Sequence, residues 1–122
     1  MKRILVVDDN GTMRTLLTEL LSVDYIVAVA RNGAEALASI REAVPDGILL
    51  DMMMPIMDGW AFLRAWPQEP TFAKIPIIVV SSETQGCLHK LPGVRACIPK
   101  PFDAERLLAA VKRLIGTGGS LS

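Results

Sequence analysis

Gly47-Ile48-Leu49-Leu50-Asp51-Met52-Met53-Met54-Pro55-Ile56-Met57-Asp58-Gly59 is the stretch that decides the fold. Ile48, Leu49 and Leu50 form an apolar run without polar alternation, and it ends on a single carboxylate, Asp51. Such a run suits a strand buried on both faces, as in a parallel sheet covered by helices. Pro55 stops the strand, and Asp58-Gly59 has the form of a helix entry, with Asp58 as N-cap. An acid at the carboxyl end of a buried strand stands where open α/β sheets put their ligands.

The pattern repeats on both sides of this stretch. Upstream, Ile4 to Val7 is a buried strand ending on Asp8-Asp9, and Asn10 or Thr12 can cap the helix that follows. Met13, Leu16, Leu17, Leu20 and Leu21 supply that helix with one apolar stripe. Tyr25 to Ala30 reads as a second strand. Asn32-Gly33 then opens a helix with Leu37, Ile40 and Val44 facing inward, stopped by Pro45-Asp46. Downstream, Phe62, Leu63 and Trp66 lie on a helix limited by Pro67 and Pro70. Pro76 to Val80 is a fourth strand ending on Ser81-Ser82, and residues 83–93 have room for only a short helix. Arg95 to Ile98 is a fifth strand ending on Pro99-Lys100-Pro101. Asp103 caps a last helix with Leu107, Leu108, Val111, Leu114 and Ile115 on one face, and Gly116 stops it. The sum is (βα)5, a doubly wound five-stranded parallel sheet of the α/β class. Residues 1–116 make a single domain, and 117–122 have the composition of a flexible tail or the start of a linker.

Composition bounds the function. The chain has 122 residues, 51% of them hydrophobic, enough for one core in one domain. Thirteen basic and thirteen acidic residues cancel, which argues against direct nucleic-acid binding or an anionic membrane. The acids at Asp8 and Asp9 cut short any signal-peptide core, and no run approaches the roughly 20 apolar residues of a membrane span. Cys87 and Cys97 are too few for a disulfide framework and are not spaced as a zinc or redox motif. A cytoplasmic location is expected. His89 and the methionines Met52, Met54 and Met57 are read as surface or packing residues, not ligands.

Polar residues terminate the strands at Asp8-Asp9, Asp51, Ser81-Ser82 and Lys100. In a parallel sheet these ends share one edge. Three carboxylates there would repel one another unless a hard cation such as Mg²⁺ sat among them, keeping waters for a phosphate to displace. A hydroxyl and an ammonium beside them suit phosphoryl transfer, with Asp51 as nucleophile and Asp8 and Asp9 as metal ligands.

These segments, V-V-D-D-N, L-L-D-M-M-M-P-I-M-D-G, V-V-S-S and P-K-P-F, resemble in order and spacing the receiver domain of two-component response regulators. The likeness runs from Ile4 to about Ile115, and the chain is close in length to the single-domain chemotaxis type. The resemblance implies a flavodoxin-like strand order 2-1-3-4-5 and a phosphorylated Asp51, charged by a histidine kinase or a phosphotransfer protein. It implies Mg²⁺, or Mn²⁺, held by Asp8, Asp9, Asp51 and the backbone carbonyl of Met53, with Asp8 acting largely through water. Ser81 becomes the switch hydroxyl, Lys100 the lysine that meets the phosphoryl group, and Lys100-Pro101 a cis bond. An output protein or domain, and a phosphorylation-dependent dimer, follow as partners.

Three departures accompany the match. Cys97 stands where the family usually carries an aromatic switch residue, the span from Ser81 to Lys100 is short, and Met53 places an apolar side chain beside the acceptor. A catalyst of external substrates is not expected. A haloacid-dehalogenase-like phosphohydrolase would want D-x-D at the first strand and a cap. A flavin carrier would want a hydroxyl- and glycine-rich loop instead of Asp8-Asp9. The alternative nearest at hand is a degenerate receiver acting as an interaction module independent of phosphorylation.

Overall fold

The five apolar runs become β1 (Arg3–Val7), β2 (Ile26–Ala30), β3 (Gly47–Leu50), β4 (Ile77–Ser81) and β5 (Val94–Pro99). In this computed structural model, which describes residues 1–52, 58–65, 74–81 and 93–116, they form one sheet in the order β2-β1-β3-β4-β5. Every neighbouring pair is parallel. The described helices are α1 (Gly11–Leu21), α2 (Gly33–Glu42), α3 (Gly59–Ala65) and α4 (Ala104–Leu114). This is the doubly wound α/β architecture and the 2-1-3-4-5 order expected from the sequence. Met53, Ser82, Cys87, His89 and Trp66, the short helix expected within 83–93 and the tail 117–122 lie outside the described residues.

Both sheet faces are covered, which is why the strands show no polar alternation. Leu5, Val7, Ile48, Leu50, Ile77 and Val79 point to one side, under Leu37 and Ile40 of α2 and Phe62 of α3. Ile4, Val6, Leu49, Ile78 and Val80 point to the other, under Leu17 and Leu21 of α1 and Leu107 and Val111 of α4. Of the expected caps Asn10, Asp58 and Asp103 are in place, and Asn32 caps α2 as well. Asn10, Asn32, Asp58 and Asp103 each accept a backbone N–H from the first turn they precede. Among the described residues no helix is long and apolar enough to cross a membrane.

Two residues assigned to buried stripes lie on the surface. Leu16 is 41% exposed because α1 sits at the β2 edge, where no further strand extends the sheet beneath it. Val29 of the edge strand is open for the same reason. Val44 is 45% exposed because α2 ends at Glu42 and Ala43 turns extended, so the helical period no longer governs its direction.

The end of α4 is tied to the start of the chain. Lys2 Nζ donates to the Ile115 carbonyl at 2.7 Å, and the Tyr25 hydroxyl donates to the Gly116 carbonyl at 2.6 Å. Gly116 has φ of 94°, the left-handed conformation that ends helices and favours glycine. Burial, with the charge of Asp24 adding to it, holds the Tyr25 phenol above its ordinary value of 10.0. The folded protein therefore keeps this proton when the unfolded chain has lost it. The contribution is intact below pH 10 and is lost as pH rises through the folded value. Tyr25→Phe is expected to cost about 1 kcal/mol at neutral pH. Urea unfolding followed from pH 7 to 11 should show a loss of stability in the wild type from about pH 10 that is shallower in the variant.

Candidate functional site

At the carboxyl end of the sheet the two central strands each finish on an acid whose backbone is still in the ladder. The Asp8 N–H donates to the Ala30 carbonyl at 3.0 Å, and the Asp51 N–H donates to the Val7 carbonyl at 2.9 Å. The strands thus carry both carboxylates to the rim with fixed backbones. Asp8 and Asp51 are buried, 2% and 5% exposed, whereas Asp9 is open to solvent. One carboxylate oxygen from each of Asp8, Asp9 and Asp51 lies within 4.8 Å of the others.

Lys100 closes the group from the β5 side. Its ammonium is 2.7 Å from Asp8 Oδ2 and 3.7 Å from Asp51 Oδ2, so its direct hydrogen bond goes to Asp8. Both Asp8 oxygens are then engaged, because Oδ1 accepts the Asn10 N–H at 2.9 Å. The Lys100-Pro101 bond is cis. Ser81 ends β4 with its backbone in register with Pro99, next to Lys100, while its hydroxyl lies outside the described atoms. The Met53 carbonyl also falls outside the description. Cys97, half-buried on β5, packs against the apolar cluster on the α2 side of the sheet.

Sequence reasoning passed over Arg14. Its Nη1 donates to the Asp8 carbonyl at 2.8 Å, which ties α1 to the turn that carries the acids. The available signal was its place on the first turns of a helix entered directly from Asp8-Asp9. A second polar pair stands at the β2–α2 turn, where Arg31 Nη2 and Nε donate to Glu35 Oε2 at 2.7 and 3.0 Å and the Arg31 N–H donates to Glu35 Oε1 at 2.8 Å. These hydrogen bonds, with smaller help from the charges of Arg31 and Arg14, hold the Glu35 carboxyl below its usual range.

The donor set fits a small hard cation. Three carboxylates supply only oxygen, the preference of Mg²⁺ and Mn²⁺. Two oxygens bound to one ion at about 2.1 Å stand at most about 4.2 Å apart. Oxygens already within 4.8 Å need only small rotations to reach that spacing. Among the described residues one ammonium, that of Lys100, stands beside the three carboxylates, which leaves net negative charge for a cation to offset.

Comparison with known proteins places this arrangement in a family. The model of the response regulator receiver domain matches residues 4–112. The chain is 40% identical over 116 residues to the sensor histidine kinase TmoS of Ectopseudomonas mendocina, covering 93% of this chain and 12% of that protein. It is 34% identical over 119 residues to protein PilH of Pseudomonas aeruginosa, covering 94% of this chain and 98% of that protein. The chain therefore spans about an eighth of the first relative and nearly all of the second. Among solved structures, the chemotaxis protein CheY4 of Vibrio cholerae superposes with a TM-score of 0.85 at 32% identity, covering 93% of this chain and 98% of that one. The chain belongs to the response regulator receiver domain family, which serves two-component signal transduction as a switch.

Proposed function

We propose that Asp51 accepts a phosphoryl group from the phosphohistidine of a histidine kinase or phosphotransfer protein, with Mg²⁺ or Mn²⁺ at the rim. The observation that carries this is the placement of Asp51: buried, terminating the central strand, within 4.8 Å of two further carboxylates and 3.7 Å from the Lys100 ammonium. Asp51 is favoured as the acceptor because it is buried at the end of the central strand beside the Lys100 ammonium, whereas Asp9 is open to water. An Asp51 oxygen bonds to phosphorus while the bond from phosphorus to the donor nitrogen breaks, and the nitrogen keeps the electron pair. Asp9 and Asp51 would hold the cation, with Asp8 acting through water and the Met53 carbonyl completing the set, and it would supply charge neutralisation for the phosphoryl oxygens.

Phosphorylation replaces a carboxylate by a more negative group with additional acceptor oxygens. Lys100 then has a stronger partner than Asp8, and Ser81 a hydroxyl to offer. Going from 1:99 to 99:1 active takes about 5.5 kcal/mol. Charge-assisted hydrogen bonds of about 1.5–3 kcal/mol each are of the right size to supply it. The output is a changed affinity of the face formed by β5 and α4 for an output protein or domain, or for a second phosphorylated copy. The domain spans 1–116 with 117–122 as tail or linker, it works in the cytoplasm, and its chemistry is confined to its own aspartyl phosphate.

Incubation with a small phosphodonor and Mg²⁺, followed by intact mass, tests this. Gain of one acid-labile phosphoryl group, abolished by chelator, is expected. A chain that stays unlabelled at every donor concentration would be a binding module independent of phosphorylation.

A further inference from the structure

Where β1 leaves the sheet, the Asp8 N–H is spent on β2, its side chain on Asn10 and Lys100, and its carbonyl on Arg14. Asn10 fixes the start of α1 by accepting the Met13 N–H. Arg14, the basic residue of α1, then ties the body of that helix back to the acid it follows. The Arg14 side chain is only partly exposed, and its charge reaches Glu35 on α2 as well. Its head is held at the β1–α1 turn.

We infer that Arg14 is a positioning residue for the acidic rim, setting through the Asp8 carbonyl the direction in which Asp8 and Asp9 present their carboxylates. This rests on the assignment of that rim as a cation site. Asp9, exposed and one residue past the ladder, takes its orientation from the peptide that Arg14 holds. Two physical effects of Arg14 have opposite signs. As a bare positive charge it repels a dication, so deleting it would tighten binding. As a clamp on the turn it lowers the cost of ordering two ligands, so deleting it would loosen binding. Lysine keeps the charge but loses the planar fork that matches a carbonyl at fixed geometry, and so separates the two.

Calorimetric titrations of the full chain with magnesium chloride and calcium chloride at constant ionic strength, on wild type, Arg14→Lys and Arg14→Ala, decide it. Arg14→Lys is expected to weaken Mg²⁺ about tenfold, the usual scale for a lost outer-shell support. Ca²⁺, which accepts looser geometry than Mg²⁺, should weaken less. Arg14→Ala should move the same way. Melting temperatures in chelator show that each variant is folded; a purely structural role would lower them and leave the Mg²⁺ to Ca²⁺ ratio unchanged. Variants that bind Mg²⁺ as well as or better than wild type, or that lose both cations by the same factor, overturn the inference. A wild type that binds neither cation removes the rim assignment itself, and that result is distinct because it appears before any variant is made.

Discussion

Asp51→Ala is expected to take up no phosphoryl group under conditions where the wild-type chain takes up one, measured by intact mass after exposure to a small phosphodonor and Mg²⁺. The effect should be all or none, because the neighbouring acids are poorly suited to substitute. Asp8 already accepts from Lys100 and Asn10, and Asp9 is open to water rather than seated beside the ammonium. Equal labelling of variant and wild type would remove Asp51 as acceptor. Asp51→Asn adds a stability signature. Each carboxylate repulsion across 4.8 Å is about 3 kcal/mol, and the attraction to Lys100 at 3.7 Å about 4 kcal/mol, at an effective dielectric of 20. The amide removes these charge terms together and leaves two carboxylates at the rim. It should gain less from added Mg²⁺ than wild type.

Lys100→Ala should destabilise the chain in chelator. It leaves three close carboxylates, two of them buried, without the ammonium that pairs with them among the described residues. Removing one partner of such a pair typically costs about 3–5 kcal/mol, and the lower end suits a lysine that is 18% exposed. For a chain of this length that corresponds to a fall in melting temperature on the order of 10 °C in chelator. Mg²⁺ at a hundred times its dissociation constant returns about 2.7 kcal/mol, so the variant with Mg²⁺ should melt close to the wild type in chelator. Scanning calorimetry with and without Mg²⁺ reads both numbers. A variant that melts with the wild type in chelator would mean that Lys100 does not balance the rim.

The central architecture was open to sequence reasoning because it rests on contiguous signals. Ile48-Leu49-Leu50 and Ile4-Leu5-Val6-Val7 are apolar without alternation only because helices lie on both sides of the sheet. Asn10, Asn32, Asp58 and Asp103 are local caps, each satisfied within three residues. What sequence left hidden depends on position in the finished sheet. Leu16 has helical spacing as good as that of Leu17, but only the sheet boundary at β2 tells which of the two is covered. Val44 follows the period of α2 by spacing, yet the chain has left the helix before reaching it. The acids and Lys100 were legible as strand ends on one edge. That the lysine bonds Asp8 more closely than Asp51, and that Arg14 takes the Asp8 carbonyl, are matters of side-chain reach that spacing does not encode.

The anchors on the carbonyls of Ile115 and Gly116 have a mechanical consequence. They sit at the pole of the molecule away from the acids, whereas α4 begins a few residues after Lys100. With its far end hinged, α4 is a lever of 11 residues, about 16 Å long. Sliding along its axis would stretch both attachments. A tilt of about 5° then displaces the near end by roughly 1.4 Å. A shift of α4 set off beside Lys100 would be largest at Ala104 and smallest at the anchored end.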